Sequence, residues 1–275
     1  MRGKYVILTL IIAIAGFLSL FLLRETRTPE LTLITVPVPD LPAPFEGFTI
    51  LHLSDLHGAR FGPGQKGLEK LLRGQKIDLA VFTGDLVSKG KPAEVAAAGE
   101  FLAEMTRRAP VYLISGNWDR LNFAAVNEII RGSEAGLLAN KAIRIERDDA
   151  GLWLVGIDDS FRGEVDLETA LAQMKPPGEP SILLVHSPDI PLVNRAAEKG
   201  VAVILAGHTH GGQIRLPGIG ALWVPGQPFP PRYVAGLYTV GKTKLYVNRG
   251  LGTSVIPVRL LVRPEVALIK LVRGV

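Results

Sequence analysis

A chain of 275 residues with 47% hydrophobic side chains can form one large domain or two modest ones. It has no cysteine, which excludes disulfides and thiolate metal sites, so a bound metal must be held by nitrogen and oxygen. The net charge of +5 suits an anionic substrate or an anionic membrane surface, and no basic stripe interleaved with aromatics marks a nucleic-acid interface.

Tyr5 to Leu23 carries no charge and is mostly Leu, Ile, Phe and Ala. At helical rise this run is roughly 28 Å long, about one hydrocarbon core. It is longer than a typical signal-peptide core, and no small-x-small cleavage site follows it before Arg24, so an uncleaved single-pass anchor is expected. Arg2 and Lys4 flank one end and Arg24 and Arg27 the other. Orientation is therefore nearly balanced, with the N-terminal amine tilting the catalytic domain toward the outside.

Thr28 to Gly47 is rich in proline and reads as a short strand at Leu31 to Val36 followed by a spacer. From Phe48 strand and helix patterns alternate, with helices expected near Gln65–Arg73, Pro92–Arg107, Asn122–Arg131, Leu167–Met174 and Ile190–Glu198. That alternation argues for parallel βαβ units with helices covering the sheet. Later, Gly156 to Asp159, Leu237–Val240, Lys244–Asn248 and Val266–Leu271 read as strands without intervening helices. A second sheet packed on the first would join both halves. The expected organisation is an anchor over 1–27, a linker with a short strand over 28–47, and one α/β domain over 48–275.

Four of the five histidines fall in a spaced series: Asp55-Leu56-His57, Gly84-Asp85, Gly116-Asn117, His186 and Gly207-His208-Thr209-His210. Each follows an apolar, β-branched run, as in FTILHLSDLH, DLAVFTGD, VYLISGN, ILLVHS and VAVILAGHTH. Side chains at the ends of neighbouring strands converge on one rim of a sheet. A lone Gly-Asp or His-x-His is usually a turn or a chance pairing, but five such elements in order are not. Imidazole with carboxylate suits two first-row divalent ions, manganese, iron or zinc, sharing one carboxylate. Two such cations outweigh the charge of Asp55 and Asp85, attract a phosphate and lower the pKa of a bridging water. The expected chemistry is phosphoryl hydrolysis.

Asp55-x-His57, Gly84-Asp85, Gly116-Asn117, His186 and Gly207-His208-x-His210 together resemble the calcineurin-like metallophosphoesterase superfamily. The resemblance covers Phe48 to Leu271. LHLSDLH, HSPD, LAGHTHGGQ and NRGLGTS…IPVRLLVRPE resemble its membrane-linked YkuE/YaeI branch, which is similar to LpxG-type UDP-diacylglucosamine pyrophosphatases of lipid A synthesis. The resemblance implies a two-sheet β-sandwich flanked by helices with metals at the rim. It implies that Asp55, His57, Asp85 and His210 hold one ion. Asp85 would bridge, Asn117, His186 and His208 would complete the other site, and a bridging hydroxide would be the nucleophile.

One position departs from the family. Gly-Asn-His-Asp or Gly-Asn-His-Glu is usual, whereas this chain has Gly116-Asn117-Trp118-Asp119. Indole donates one hydrogen bond but cannot release a proton at neutral pH. Either the leaving group needs no acid, or a cation such as Arg120 or Arg249 stabilises charge instead, or turnover is weak. Asp119, which the resemblance would place behind the histidine, has an open role here, with pairing to Arg120 one option.

Other signals are weaker. Gly62 to Gly67 matches G-x-G-x-x-G by letter, but Asp55 to Phe61 separates it from the strand, so it reads as the start of a helix. His52, inside the first strand, reads as a core histidine. Gly211-Gly212-Gln213 reads as a tight turn or as backbone donors beside a substrate. Leu216 to Tyr233 and Val255 to Leu260 are apolar, and suit either a wall for an acyl chain and bilayer or a plain hydrophobic cover. The expected function is a membrane-anchored hydrolase of a phosphoester or pyrophosphate, with UDP-diacylglucosamine as the favoured substrate. The rivals are a broad-specificity envelope phosphodiesterase and a non-catalytic metal-binding scaffold. Nothing in the sequence sets an oligomeric state.

Overall fold

The computed structural model describes residues 2–175 and 177–274. After the helix α1 (Arg2–Arg27), the strands are β1 (Glu30–Val38), β2 (Thr49–Leu53), β3 (Leu79–Phe82), β4 (Val111–Leu113), β5 (Gly136–Leu137), β6 (Lys141–Arg147) and β7 (Ala150–Gly156). They continue as β8 (Ser181–Val185), β9 (Val203–Ala206), β10 (Arg215–Leu216), β11 (Gly220–Ala221), β12 (Gly236–Val240), β13 (Thr243–Val247) and β14 (Glu265–Arg273). Two six-stranded sheets result, ordered β1-β14-β2-β3-β4-β5 and β12-β13-β9-β8-β7-β6.

The sheets pack face to face. Ile50, Val81 and Ile269 from one meet Leu154, Leu184 and Leu205 from the other in a closed apolar layer. The outer face of the first sheet is covered by α2 (Lys66–Leu72), α3 (Pro92–Thr106) and α5 (Phe123–Arg131), through residues such as Leu68, Phe101 and Ile129. The short α6 (Leu167–Ala172) and α7 (Ile190–Glu198) cover the second sheet through Leu167, Ala170 and Val193. This four-layer arrangement explains the continuous apolar strands. LAVF in β3 and VILA in β9 are buried at every position because both faces are covered.

The helices expected from sequence form, with ends shifted by a few residues; Ile190–Glu198 has the same ends. The short strand expected at Leu31 to Val36 forms as β1, extended to Glu30–Val38, and it pairs in parallel with β14 along its whole length, from Glu30–Glu265 to Val38–Arg273, as a strand of the first sheet. Pro37 is tolerated because β1 is an edge strand with β14 on one side only. The strand expected at Gly156 to Asp159 instead ends at Gly156, and Asp158 and Asp159 lie in the loop beyond it. Gly62 to Gly67 forms a 3-10 turn that starts α2.

Candidate metal centre

The parallel strands β2, β3, β4, β8 and β9 end on one rim, and each is followed at once by site residues. Asp55 and His57 follow β2, Asp85 follows β3, His186 follows β8, and His208 and His210 follow β9. Asn117 opens the short helix α4 (Asn117–Leu121) after β4. Five of these seven residues, Asp55, His57, Asp85, His208 and His210, adopt positive φ between 48° and 66°. Non-glycine residues rarely accept that conformation, and such strain concentrates at functional sites. Gly84 needs its hydrogen for a different reason. At φ 94° a Cβ would lie 2.6 Å from the Gly116 nitrogen and 2.7 Å from His186 Nδ1.

The ligand atoms form two adjacent triads. Asp55, His57 and His210 make one; Asp85, His186 and His208 make the other, with all atoms of a triad within 4.8 Å of one another. Asp85 Oδ2 lies 3.6 Å from His57 Nε2 and 3.4 Å from His186 Nε2, so this one oxygen faces both groups. Its other oxygen, Oδ1, accepts the Trp118 backbone N–H at 2.9 Å. Asn117 Oδ1 and His208 Nδ1 each lie 3.1 Å from His186 Nε2.

The His186 tautomer is set, and the His57 ring held, from outside the cluster. His186 Nδ1 donates to the Thr83 carbonyl at 2.7 Å, and His57 Nδ1 lies 2.8 Å from Ser88 Oγ. Outer partners of this kind turn the opposite nitrogen's lone pair inward. His186 Nε2 then faces a carboxylate, an amide oxygen and another imidazole. Buried acceptors this close repel unless a proton on the ring or a metal cation sits among them. Asp55 Oδ1 is also buried with no hydrogen-bond partner. The donor set, all nitrogen and oxygen, therefore fits two divalent ions.

The electrostatics carry the same signature. Burial disfavours charge on His186, but the negative charge of Asp85 more than reverses this and lifts it to about 10. Burial likewise opposes ionisation of Asp85, and the charge of His186 holds it down at about 2. Without a metal, a proton on His186 supplies the positive charge that the carboxylate requires. Burial lowers His57 and His210 and lowers His208 to about 3, which keeps three imidazoles neutral and ready to ligate.

Asp119 is fully buried and accepts backbone N–H groups from Asp85, Leu86, Val87 and Gly116, at 2.7, 2.8, 3.3 and 3.1 Å. Burial, then the charge of Asp85, lifts it to about 7 against those donors. It does not pair with Arg120, as the sequence suggested; Arg120 binds Asp158 at 3.0 Å. Asp119 thus clamps the two loops that carry Asp85 and Asn117. Asp119→Ala would leave four N–H groups without their acceptor, costing about 3–5 kcal/mol. The thermal midpoint is expected to fall by roughly 10 °C. An unchanged midpoint would show that the loops hold without the clamp.

Arg249 also needs correction. Its guanidinium does not join the cluster but is held by Glu30 at 2.7 Å and Glu265 at 3.1 Å, partners that tie β1 and β14 to the loop. The cation nearest the ligands is one that sequence reasoning missed. Arg259 is fully buried, and its guanidinium donates to the Arg249 and Gly250 carbonyls at 2.8 and 3.1 Å and lies 3.4 Å from His210 Nδ1. A single arginine inside the apolar run VIPVRLL was the available signal. Two further neighbours were missed. Phe161 stacks on His208 with ring centroids 4.9 Å apart, and Asp159 is buried beside the site with Oδ1 unpartnered. His52 is a core residue, fully buried, with Nε2 3.0 Å from Thr83 Oγ1.

Two sheets in an αββα sandwich with paired metal triads at the strand ends define a metal-dependent phosphoesterase. Residues 48–212 match the family model for calcineurin-like phosphoesterases, and the chain belongs to that family. It is 34% identical over 248 residues to the phosphodiesterase YaeI of Escherichia coli, covering 85% of this chain and 84% of that protein. It is 31% identical over 253 residues to the uncharacterized metallophosphoesterase YkuE of Bacillus subtilis, covering 90% and 87%. Among solved structures, the sulfate thiohydrolase SoxB of Thermus thermophilus shares the fold with a TM-score of 0.54. At 17% identity, that match covers 84% of this chain and 57% of the other. The chain is a hydrolase of phosphoester or diphosphate bonds.

Proposed function

We propose that this hydrolase is membrane anchored and cleaves the pyrophosphate of a nucleotide-linked lipid, with UDP-diacylglucosamine as the favoured substrate. The single observation that carries the dinuclear chemistry is the position of Asp85 Oδ2, facing His57 and His186 at once. In this reading Asp55, His57, Asp85 and His210 hold one divalent ion. Asp85, Asn117, His186 and His208 hold the second, the ions being manganese, iron or zinc. When bound, they supply the charge that binds phosphate and lowers the pKa of an attacking water.

The protein's own residues do the remaining work. Trp118 holds Asp85 Oδ1 through its backbone N–H and so leaves Oδ2 for sharing. Thr83 fixes the His186 tautomer, Ser88 holds the His57 ring in place, and Asp119 fixes the loops. Trp118 offers no proton to a leaving oxygen. A nucleotide phosphate leaving from a pyrophosphate needs none, which supports that substrate class over an alkyl phosphodiester. An apolar cavity of about 280 Å³ opens beside His210, bordered by Leu222, Trp223, Val255 and Ile256, and suits an acyl chain. Helix α1 is long and apolar enough over Lys4–Arg27 to cross a membrane. The domain boundary in this reading falls at the end of α1, with residues from Glu30 onward forming one catalytic unit.

The full chain in detergent micelles with manganese is expected to release UMP from UDP-diacylglucosamine. No UMP, with retained hydrolysis of a simple phosphodiester, would move the reading to a broad envelope phosphodiesterase, the activity named for the Escherichia coli relative. No hydrolysis of either would favour the scaffold. A reporter fused after Val275 checks topology, because a nucleotide-lipid role requires the catalytic domain on the cytoplasmic side, opposite to the slight tilt from the N-terminal amine.

A further inference from the structure

We infer that two loops, Leu216–Phe229 and Thr253–Leu261, form a second, monotopic contact with the lipid bilayer that seats the metal rim on the membrane surface. The inference deepens the proposed function, resting on its membrane-spanning α1 but not on its hydrolytic chemistry. It names the route by which a lipid reaches the site.

The first observation is exposure. Val255 is 78% exposed, Phe229 72% and Trp223 64%, and Ile219, Ile256 and Leu261 are also exposed. Large apolar side chains gathered on one face mark a contact with a partner or a membrane. The residues that lead into the first loop are tied to the second. Ser254 N–H donates to Gln213 Oε1 at 3.0 Å, the Gln213 side-chain amide donates to the Ile256 carbonyl at 2.5 Å, and Ile214 bridges to Leu260.

The second observation says what covers the face. The last turn of α1 is bonded directly to the second loop. The Arg259 backbone N–H donates to Thr26 Oγ1 at 2.9 Å, and Arg263 Nε donates to the Thr28 carbonyl at 3.0 Å. A helix that leaves the bilayer at Thr26 therefore delivers this loop to the same surface, without a tether between them. The apolar window of α1 is not buried against the protein, so it is free to lie in lipid. Arg24 and Arg27 in its last turn suit anionic headgroups at that level.

The third observation links the face to the site. The apolar cavity lies between Leu222 and Trp223 of the first loop and Val255 and Ile256 of the second, and His210 forms part of its wall. A lipid seated in the outer layer of this surface can extend an acyl chain into the cavity while its phosphate stays at the rim.

The chain has no cysteine, so single-cysteine variants carry one nitroxide each. Trp223→Cys and Ile256→Cys probe the two loops. Asp148→Cys, in the β6–β7 turn at the opposite end of the second sheet, is the control. Each full-length labelled protein is placed in nanodiscs of phosphatidylethanolamine and phosphatidylglycerol, and collisions with oxygen and with a water-soluble nickel chelate are measured by electron paramagnetic resonance. Nickel accessibility at 223 and 256 is expected to fall roughly tenfold below that at 148, while oxygen accessibility rises, as for a side chain about 5–10 Å into the acyl boundary. Nickel accessibility equal to the control at either loop overturns the inference. Loss of both nickel and oxygen accessibility also overturns it, because that pattern marks a protein partner or a second copy of this chain. The readout needs no turnover, so lipid-level labels on a chain that hydrolyses nothing would refute the proposed chemistry and leave this contact standing.

Discussion

Asp85→Asn is expected to reduce hydrolysis of a chromogenic phosphodiester with manganese by roughly 10³-fold or more, corresponding to several kcal/mol of lost stabilisation. Asparagine keeps the shape of the side chain but removes the charge that balances His186 and offers one carbonyl oxygen in place of two. In the native arrangement Oδ1 is already committed to the Trp118 N–H, and Oδ2 alone faces both triads. The substituted amide must either present its NH₂ to the cations or give up the Trp118 contact. Both outcomes weaken the shared position while leaving the other side chains of the two triads intact. Circular dichroism should show the folded protein unchanged. Equal rates for the variant and the parent would favour the scaffold.

Trp118→His is expected to act selectively. Restoring the usual histidine next to Asn117 supplies an acid to the leaving oxygen, a contribution of about 10²–10⁴-fold where protonation limits the rate. Turnover of an alkyl phosphodiester, whose alkoxide leaves poorly, should rise within that range. Turnover of a p-nitrophenyl ester should change by less than about twofold, because that group leaves without a proton. The backbone N–H that holds Asp85 survives the substitution. Equal gains on both substrates would mean that the indole obstructs the site rather than omitting an acid. No gain on either would place the side chain of residue 118 away from the leaving group.

The metal ligands were legible because each is a local event. An apolar β-branched run ends, a glycine turns the chain, and a ligand follows, as in Gly84-Asp85 or Gly207-His208. Strand ends on a common rim then bring the ligands together without further information. What depends on distant pairing was not legible. β1 was read as a short strand, but nothing local reveals that β14, more than two hundred residues later, pairs along its whole length. Arg249 looked available as a cation that could stabilise charge, whereas its charge is taken by Glu30 and Glu265 across the sheet. Arg259 was overlooked for the converse reason. Its apolar neighbours suggested a greasy wall or a hydrophobic cover, but its guanidinium is fully buried and bound to backbone carbonyls from Arg249 and Gly250. Burial lowers it to about 10 against the opposing charge of Asp55, which leaves it charged at neutral pH. The clamp formed by Asp119 had a partial signal, since an acid at that position was recognised. Its four backbone partners come from two loops that only the folded sheet brings together.

The central claim is a dinuclear centre sharing Asp85, and the most direct measurement is the metal content of the purified full chain. Inductively coupled plasma mass spectrometry after loading with manganese and exhaustive dialysis is expected to find two equivalents per chain, and fewer in Asp85→Asn. Two equivalents retained by both proteins would contradict the sharing of Asp85, and none retained by the parent would contradict the centre itself.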